Sequence, residues 1–167
     1  YFNHKLDAFL NHKDSCISFK IDPKPLVSII VLTYNKAALL LECLQSVVNH
    51  THDSYEIIIA DNASNDLTNE LLDRIENAIV LRNSENLDFI RGNNAASKHA
   101  HGKYLLFLNH DTSVLPGWCD ELSQLMESRN DVGAVGAKLI HMDGRLQESG
   151  CLVRKDGSTW GYGRSQA

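Results

Sequence analysis

Four cysteines, at positions 16, 43, 119 and 151, are all this chain of 167 residues contains, and no two stand at C-x-x-C spacing. A chain of this length buries enough of itself to need no disulfide staples, so the thiols are expected reduced, in a reducing compartment. No H-x-x-x-H or H-E-x-x-H occurs among the eight histidines, which argues against a zinc enzyme. No apolar run approaches the ~18 residues of a membrane span, and no signal peptide is visible. Positive charge is also scarce: 16 Lys and Arg against 21 Asp and Glu leave a net charge of −5. The basic residues are scattered, so a nucleic-acid surface is not indicated. An anionic ligand would need local help from a metal, a helix N-terminus or a few basic side chains. Phosphate loops are missing too. After the first apolar run stands "TYNKAA", with neither G-x-G-x-x-G nor G-x-x-x-x-G-K-[ST], and no G-x-S-x-G nucleophile elbow occurs anywhere.

What is present is a repeating alternation. "LVSIIVLTYN" (26–35) is a β-branched run with almost no polar alternation, the pattern of a strand buried on both faces. Ala37, Leu40, Leu41, Leu44 and Val48 follow at helical spacing. "YEIIIADNAS" (55–64) predicts a second buried strand, and Leu67, Leu71, Leu72 and Ile75 a helix after it. "AIVLRN" (78–83) predicts a third strand, then a weak Ala-rich helix closed by Gly102 as its C-cap. "KYLLFLNHD" (103–111) is expected as a fourth buried strand, followed by a helix marked by Trp118, Leu122, Leu125 and Met126. "VGAVGAKLI" and "QESGCLVRK" predict two further strands. Residues 1–25, polar and carrying Pro23 and Pro25, read as a lead-in in which Leu6, Phe9 and Leu10 offer a short amphipathic helix. The expected fold is therefore α/β, with a mostly parallel sheet layered by helices. The chain starts at Tyr1 and stops in "GYGRSQA", and an excised piece of a longer protein is expected.

In such folds ligands bind outside the carboxyl ends of the strands. The first strand ends in Thr33-Tyr34-Asn35, the second in Asp61-Asn62 and the fourth in Asn109-His110-Asp111. One polar strand end is a turn; three delivered to one sheet edge favour a pocket. A divalent cation on Asp111 would supply the positive charge the pocket lacks, and Mg²⁺ or Mn²⁺ suits oxygen ligands. Plainer readings stand beside this one. Thr33 and Asn35 suit ordinary turns, and Asp61 suits a helix cap, a part for which Asn65 or Asp66 is as well placed. Trp118 suits helix packing more than sugar stacking, and His110 is a weaker metal ligand than Asp111.

"VSIIVLTYNKAALLLECLQSV", "EIIIADNASND", "NSENLDFIRGNNAASKHAHGKYLLFLNHDT" and "VGAVGAKLIHMDG" together resemble family 2 glycosyltransferases of the GT-A fold, above all the bacterial rhamnosyltransferase-like branch. The resemblance runs over about residues 26–163. It implies a Rossmann-like three-layer sandwich, with residues 26–167 as a nucleotide-sugar-binding domain cut short at its C-terminus. It further implies inverting transfer from a UDP- or dTDP-sugar to a glycan or lipid-linked acceptor, with Mn²⁺ or Mg²⁺, in bacterial surface-polysaccharide synthesis. The implied setting is cytoplasmic, at the cytoplasmic face of the membrane. By position, Thr33, Tyr34 and Asn35 would line the nucleoside pocket, Asp61 would accept a hydrogen bond from the base, and Asn62 would lie beside it. Arg91 and Asn93 would approach the diphosphate or sugar, Asn109 the ribose or the metal's water shell, and Asp111 would hold the metal. Two departures stand out. Asp88 takes a position where the family usually has Gly, with Ile90 and Arg91 where it has small residues. The acidic motif that supplies the general base would lie beyond Ala167. The alternatives are a donor-binding fragment without turnover, and a sugar nucleotidyltransferase, which should show a Gly-rich basic loop where "TYNKAA" stands.

Overall fold

The alternation of apolar runs resolves into two compact units, Tyr1–Gly117 and Trp118–Ala167, in a computed structural model that describes residues 1–161. The end of "GYGRSQA" lies outside the described residues.

The first unit runs α1 (Phe2–Asn11), β1 (Ile17–Ser18), β2 (Val27–Thr33), α2 (Ala37–His50), β3 (Tyr55–Asp61), α3 (Thr68–Leu72), β4 (Ile75–Glu76), β5 (Ile79–Arg82), α4 (Asp88–Ala96), a 3-10 turn (Ser97–His99) and β6 (Tyr104–Asn109). Four parallel strands form its sheet in the order β5-β3-β2-β6. From β2 the chain steps outward to β3 and β5, then returns across β2 to lay down β6 on the far side. Right-handed crossovers put the helices of the outward steps on one face and α4 on the other. Ile30, Ile58 and Ala60 accordingly pack with Ala96 of α4. Ile29, Val31, Ile57 and Ile59 point to the opposite face, where they and Leu40, Leu41 and Leu44 of α2 are almost wholly buried. Each such side chain contributes about 1.5–3 kcal/mol. The result is a three-layer α/β sandwich. The reversal of strand order falls between β2 and β6, where sheets of this kind open a crevice.

The register brings the strand ends level. Thr33 pairs with Asp61, and Leu32 with Asn109. β6 differs from the expectation of a strand buried on both faces. Its side chains alternate, half-buried and exposed, with Leu105 at 48% and Phe107 at 51% exposure. The cause is position, since β6 is the edge strand and α4 covers β2 and β3 instead.

Other departures are local. The helix expected through Ile75 stops at Leu72, and Ile75 enters a short parallel pair with Ile17. Arg74 explains the break: its carbonyl accepts from the Ile17 N–H at 2.9 Å, and its guanidinium donates to the carbonyls of Phe9, Leu10 and His12. These are orphan acceptors at the end of α1, so one side chain caps that helix. The lead-in thus contributes a helix and a strand to the first unit, and Lys5 of α1 pairs with Glu42 of α2 at 2.5 Å. Gly102 is not a C-cap. Ser97 is the residue that ends α4, and Gly102 lies so close to β2 that a Cβ there would fall 2.6 Å from the Ser28 nitrogen.

The second unit comprises α5 (Trp118–Ser128), β7 (Leu139–Ile140), β8 (Leu146–Glu148), β9 (Cys151–Val153) and β10 (Thr159–Gly161). The β7–β8 and β9–β10 pairs are antiparallel. "VGAVGAKLI" is a strand only in its last two residues, and "QESGCLVRK" is interrupted at Gly150, whose φ of +91° is a left-handed conformation that glycine tolerates.

Candidate functional site

At the carboxyl end of β2 the chain turns through two successive left-handed residues, Asn35 (φ +57°) and Lys36 (φ +60°), before α2 begins. The β3–α3 loop holds that turn. The Asn35 N–H donates to Ser64 Oγ at 2.7 Å, Asn35 Oδ1 accepts from the Asn65 N–H at 2.8 Å, and the Ala37 N–H donates to Asp66 Oδ2 at 3.1 Å. Asp66 therefore places a carboxylate at the α2 N-terminus, where the helix dipole favours it. Burial would raise its pKa, but the bonds from Thr68 and Ala37 outweigh that and hold the carboxyl below its ordinary value. Asp61, 2% exposed, folds back on the same loop and accepts from the Ser64 N–H and hydroxyl.

Asn62, also 2% exposed, is the hub of an amide network. Its N–H donates to the Thr33 carbonyl at 2.8 Å, and its Nδ2 to Asn86 Oδ1 at 3.1 Å and to the Asp88 carbonyl at 3.3 Å. Its Oδ1 accepts from Asn83 Nδ2 at 2.8 Å. Asn86 Oδ1 also takes the Asp88 N–H at 2.8 Å, an Asx turn that leads into α4. Asp88 itself has φ +58°. This is the position where the resemblance leads one to expect glycine, and the left-handed backbone is the reason glycine suits it.

From β6, Asn109 and Asp111 are exposed, and His110 turns back to β2. Its Nδ1 lies 3.2 Å from the Leu32 carbonyl, which can only accept, so that nitrogen carries the proton. Nε2 is buried and has no hydrogen-bond partner among the described residues. Under this loop Cys43 Sγ lies 3.6 Å from the Asn109 carbonyl, and burial pushes its thiol up to about 12, so it is a neutral packing group.

These ends enclose a cavity of about 380 Å³ lined by Leu32, Thr33, Tyr34, Asn62, Asn86, Asp88, Phe89, Asn109, His110 and Asp111. Of the residues expected from sequence, Thr33, Tyr34, Asn62, Asn109 and Asp111 thus share one wall. Asn35 and Asp61 are not on it; they brace the loops behind it. Arg91 is exposed on α4 with Nη2 3.4 Å from Asp88 Oδ2, and Asn93, 7% exposed, donates to the Phe89 carbonyl at 2.9 Å. Leu32, Asn86 and Phe89 were not expected. The Asx-turn spacing of Asn86 and Asp88 is a signal that could have found the second; nothing in the pattern marks Phe89, 61% exposed, as a lining residue.

The donor set is oxygen-rich and sparse. Among the described residues no three of His, Cys, Asp and Glu cluster as a self-sufficient metal cage. One free carboxylate beside an amide, completed by ligand phosphates and water, fits Mg²⁺ or Mn²⁺, which commonly take only one or two protein carboxylates.

The model of the family described as "Glycosyl transferase family 2" matches residues 28–155. An "Uncharacterized glycosyltransferase" of Haemophilus influenzae is 31% identical over 69% of this chain and 37% of its own length. "O-antigen biosynthesis protein RfbC" of Myxococcus xanthus is 33% identical over 84% of this chain and 11% of its own. Among solved structures, S. aureus TarS 1–349 in complex with UDP-GlcNAc superposes with a TM-score of 0.55 at 19% identity, covering 71% of this chain and 41% of that one. The shared fold is GT-A. The matches cover less than half the length of each of these proteins.

Proposed function

The chain belongs to the family 2 glycosyltransferases, and we propose that its first unit holds a nucleotide-diphosphate sugar, UDP- or dTDP-linked, for inverting transfer to a glycan or lipid-linked acceptor. The observation that carries this reading is the convergence of Thr33, Tyr34, Asn62, Asn109 and Asp111 on one cavity at the β2–β6 reversal. Tyr34, 45% exposed, offers an aromatic face to the nucleoside, and Thr33 a hydroxyl below it. Asn35, Asp61 and Asn62 shape the base end, with Asp61 accepting from the base once Ser64 yields. Asn109 faces the ribose or the metal's water shell. Asp111 would hold Mn²⁺ or Mg²⁺, which neutralises charge on the nucleoside diphosphate as it leaves. Arg91 approaches the diphosphate or sugar from the outer side of α4, and Asn93 keeps Phe89 in place.

The acceptor hydroxyl needs a carboxylate general base within hydrogen-bond reach, and we assign that base to a region beyond Ala167. The names of the relatives support surface-polysaccharide synthesis, RfbC being an O-antigen biosynthesis protein. No helix among the described residues is long and apolar enough to cross a membrane, and the proposed setting is the cytoplasmic face. A second reading, binding without turnover by this stretch alone, is favoured by the relatives' much greater length.

Calorimetry with UDP and dTDP, with and without Mn²⁺, tests the donor site. Metal-dependent binding that disappears in Asp111→Ala is the expected result. Absence of binding by the native chain under every condition would remove the reading.

A further inference from the structure

We infer that Asn86 is a specificity-determining residue of the donor site: its side-chain NH₂ donates to a ring carbonyl of the nucleobase, so uracil or thymine is taken and cytosine disfavoured. The inference rests on the donor-binding reading above and deepens it. Asn86 is exposed and lines the cavity. Its orientation is fixed by what its oxygen accepts. The Asp88 N–H lies 2.8 Å from Oδ1 and can only donate, so the atom it meets is the amide oxygen. Asn62 points the same way. Its Nδ2 donates to the Asp88 carbonyl, which can only accept, and also to Asn86 Oδ1 at 3.1 Å. Asn83 completes the chain by donating to Asn62 Oδ1. The three amides thus run in one direction, from Asn83 through Asn62 to Asn86, and the last oxygen holds two donors. What is left over is the Asn86 NH₂, which has no acceptor among the described residues. An aspartate would serve the Asx turn and the Asn62 bond equally well, so this nitrogen is the atom the fold does not use.

Strand order decides which part of a nucleotide it meets. The sheet runs β5-β3-β2-β6. Asp111, the proposed metal ligand, follows β6, whereas Asn86 is tied to Asn62 at the end of β3, on the other side of β2. Two strand spacings separate these ends by about 10 Å. A diphosphate held at the β6 end therefore places the base at the β3 end, past Thr33 and Tyr34. Uracil and thymine present carbonyl oxygens along their edge, and cytosine turns one of them into an NH₂. An NH₂ set against an NH₂ leaves both donors unpaired, and a site built around a hydrogen bond rejects the analogue that cannot make it.

Asn86→Asp keeps the oxygen with its two donors and replaces the NH₂ by an acceptor, which makes it the test. Dissociation constants for UDP and CDP would be measured by calorimetry with Mn²⁺ on the native chain, Asn86→Asp and Asn86→Ala. The added charge of Asn86→Asp weighs on both nucleotides alike, and any contact of the base with Asp61 is common to all three proteins. The change in the UDP-to-CDP ratio therefore isolates Asn86. The native chain should favour UDP about tenfold or more, and Asn86→Asp should move the ratio about tenfold towards CDP. Asn86→Ala should weaken UDP more than CDP, and it supplies the reading if the first variant binds neither. Equal affinities in the native chain, a ratio unmoved by Asn86→Asp while both bind, or equal weakening or loss of both in Asn86→Ala would overturn the inference. UDP binding by the native chain would in each case leave the donor site standing. Failure of UDP to bind the native chain would overturn the donor reading and this inference with it.

Discussion

Gly102 shows how much one missing methyl group can matter. A Cβ there would lie 2.6 Å from the Ser28 nitrogen and 2.8 Å from the Val27 carbonyl carbon, both backbone atoms that cannot swing aside. Gly102→Ala should therefore cost about 1–3 kcal/mol of stability in urea unfolding, the range for forced overpacking. Gly92 is the contrasting case. Its added Cβ would meet the end of the Leu32 side chain at 2.7 Å, which a rotamer change can relieve, so Gly92→Ala should cost less in the same assay. Asn62 is a third. Removing its amide strands Asn83 and Asn86 together with the Asp88 carbonyl. Asn62→Ala should lose about 1–3 kcal/mol in urea unfolding, and it should weaken UDP binding because the cavity wall is built on it. None of these three roles can be seen in a sequence. In the sequence Gly92 reads as a helix residue, Gly102 as a C-cap and Asn62 as a strand end, and their packing roles appear only when the neighbouring strand is in place.

At the scale of elements, polar side chains fasten the α4–β6 connection to the sheet. Glu56 of β3 accepts from the Ser28 hydroxyl and the His101 N–H, both at 2.6 Å, and its other oxygen meets His101 Nδ1 at 3.0 Å. Burial raises the Glu56 pKa, but the bonds from Ser28 and His101 prevail and hold it below its ordinary 4.5. A carboxyl whose folded pKa is depressed contributes stability above the unfolded value and loses it as pH falls through the folded one. The stability gap between the native chain and Glu56→Gln should accordingly be full above about pH 4.5 and shrink as pH drops below it, read from urea midpoints across pH. Arg74 does comparable work for α1. Arg74→Ala leaves the carbonyls of Phe9, Leu10 and His12 without this donor, and residues 2–11 should then exchange their amide hydrogens faster, with the β2–β3 core unaffected. The helix and strand types were legible from periodicity. The early end of α3 was not, because Ile75 satisfies a helical stripe and a strand equally well, and the Ile17 partner that decides lies 58 positions away.

For the molecule as a whole, folding and ligand binding are linked. A ligand that binds only the folded state stabilises it by about 2.7 kcal/mol at a hundred times its dissociation constant. UDP with Mn²⁺ should raise the thermal midpoint of the native chain, and the increment from Mn²⁺ should vanish in Asp111→Ala, as read by differential scanning fluorimetry. Conversely, chelation should lower the midpoint only when nucleotide is present, since among the described residues no side-chain cluster holds a metal unaided.

The sequence by itself determined the fold class, because buried parallel strands and amphipathic helices carry different periods that need no partner to be recognised. It also placed Thr33, Asp61 and Asn109-His110-Asp111 at strand ends. The tertiary structure alone decided which of these face the cavity and which brace it. Thr33, Asn109 and Asp111 line it, whereas Asp61 is turned to Ser64 and Asn93 to the Phe89 carbonyl. The same step decided that Leu105 and Phe107 of an apolar strand remain exposed, since β6 is laid at the sheet's edge. Periodicity records which side of an element is apolar; what that side meets depends on strand order and register, set by contacts between residues far apart in the chain.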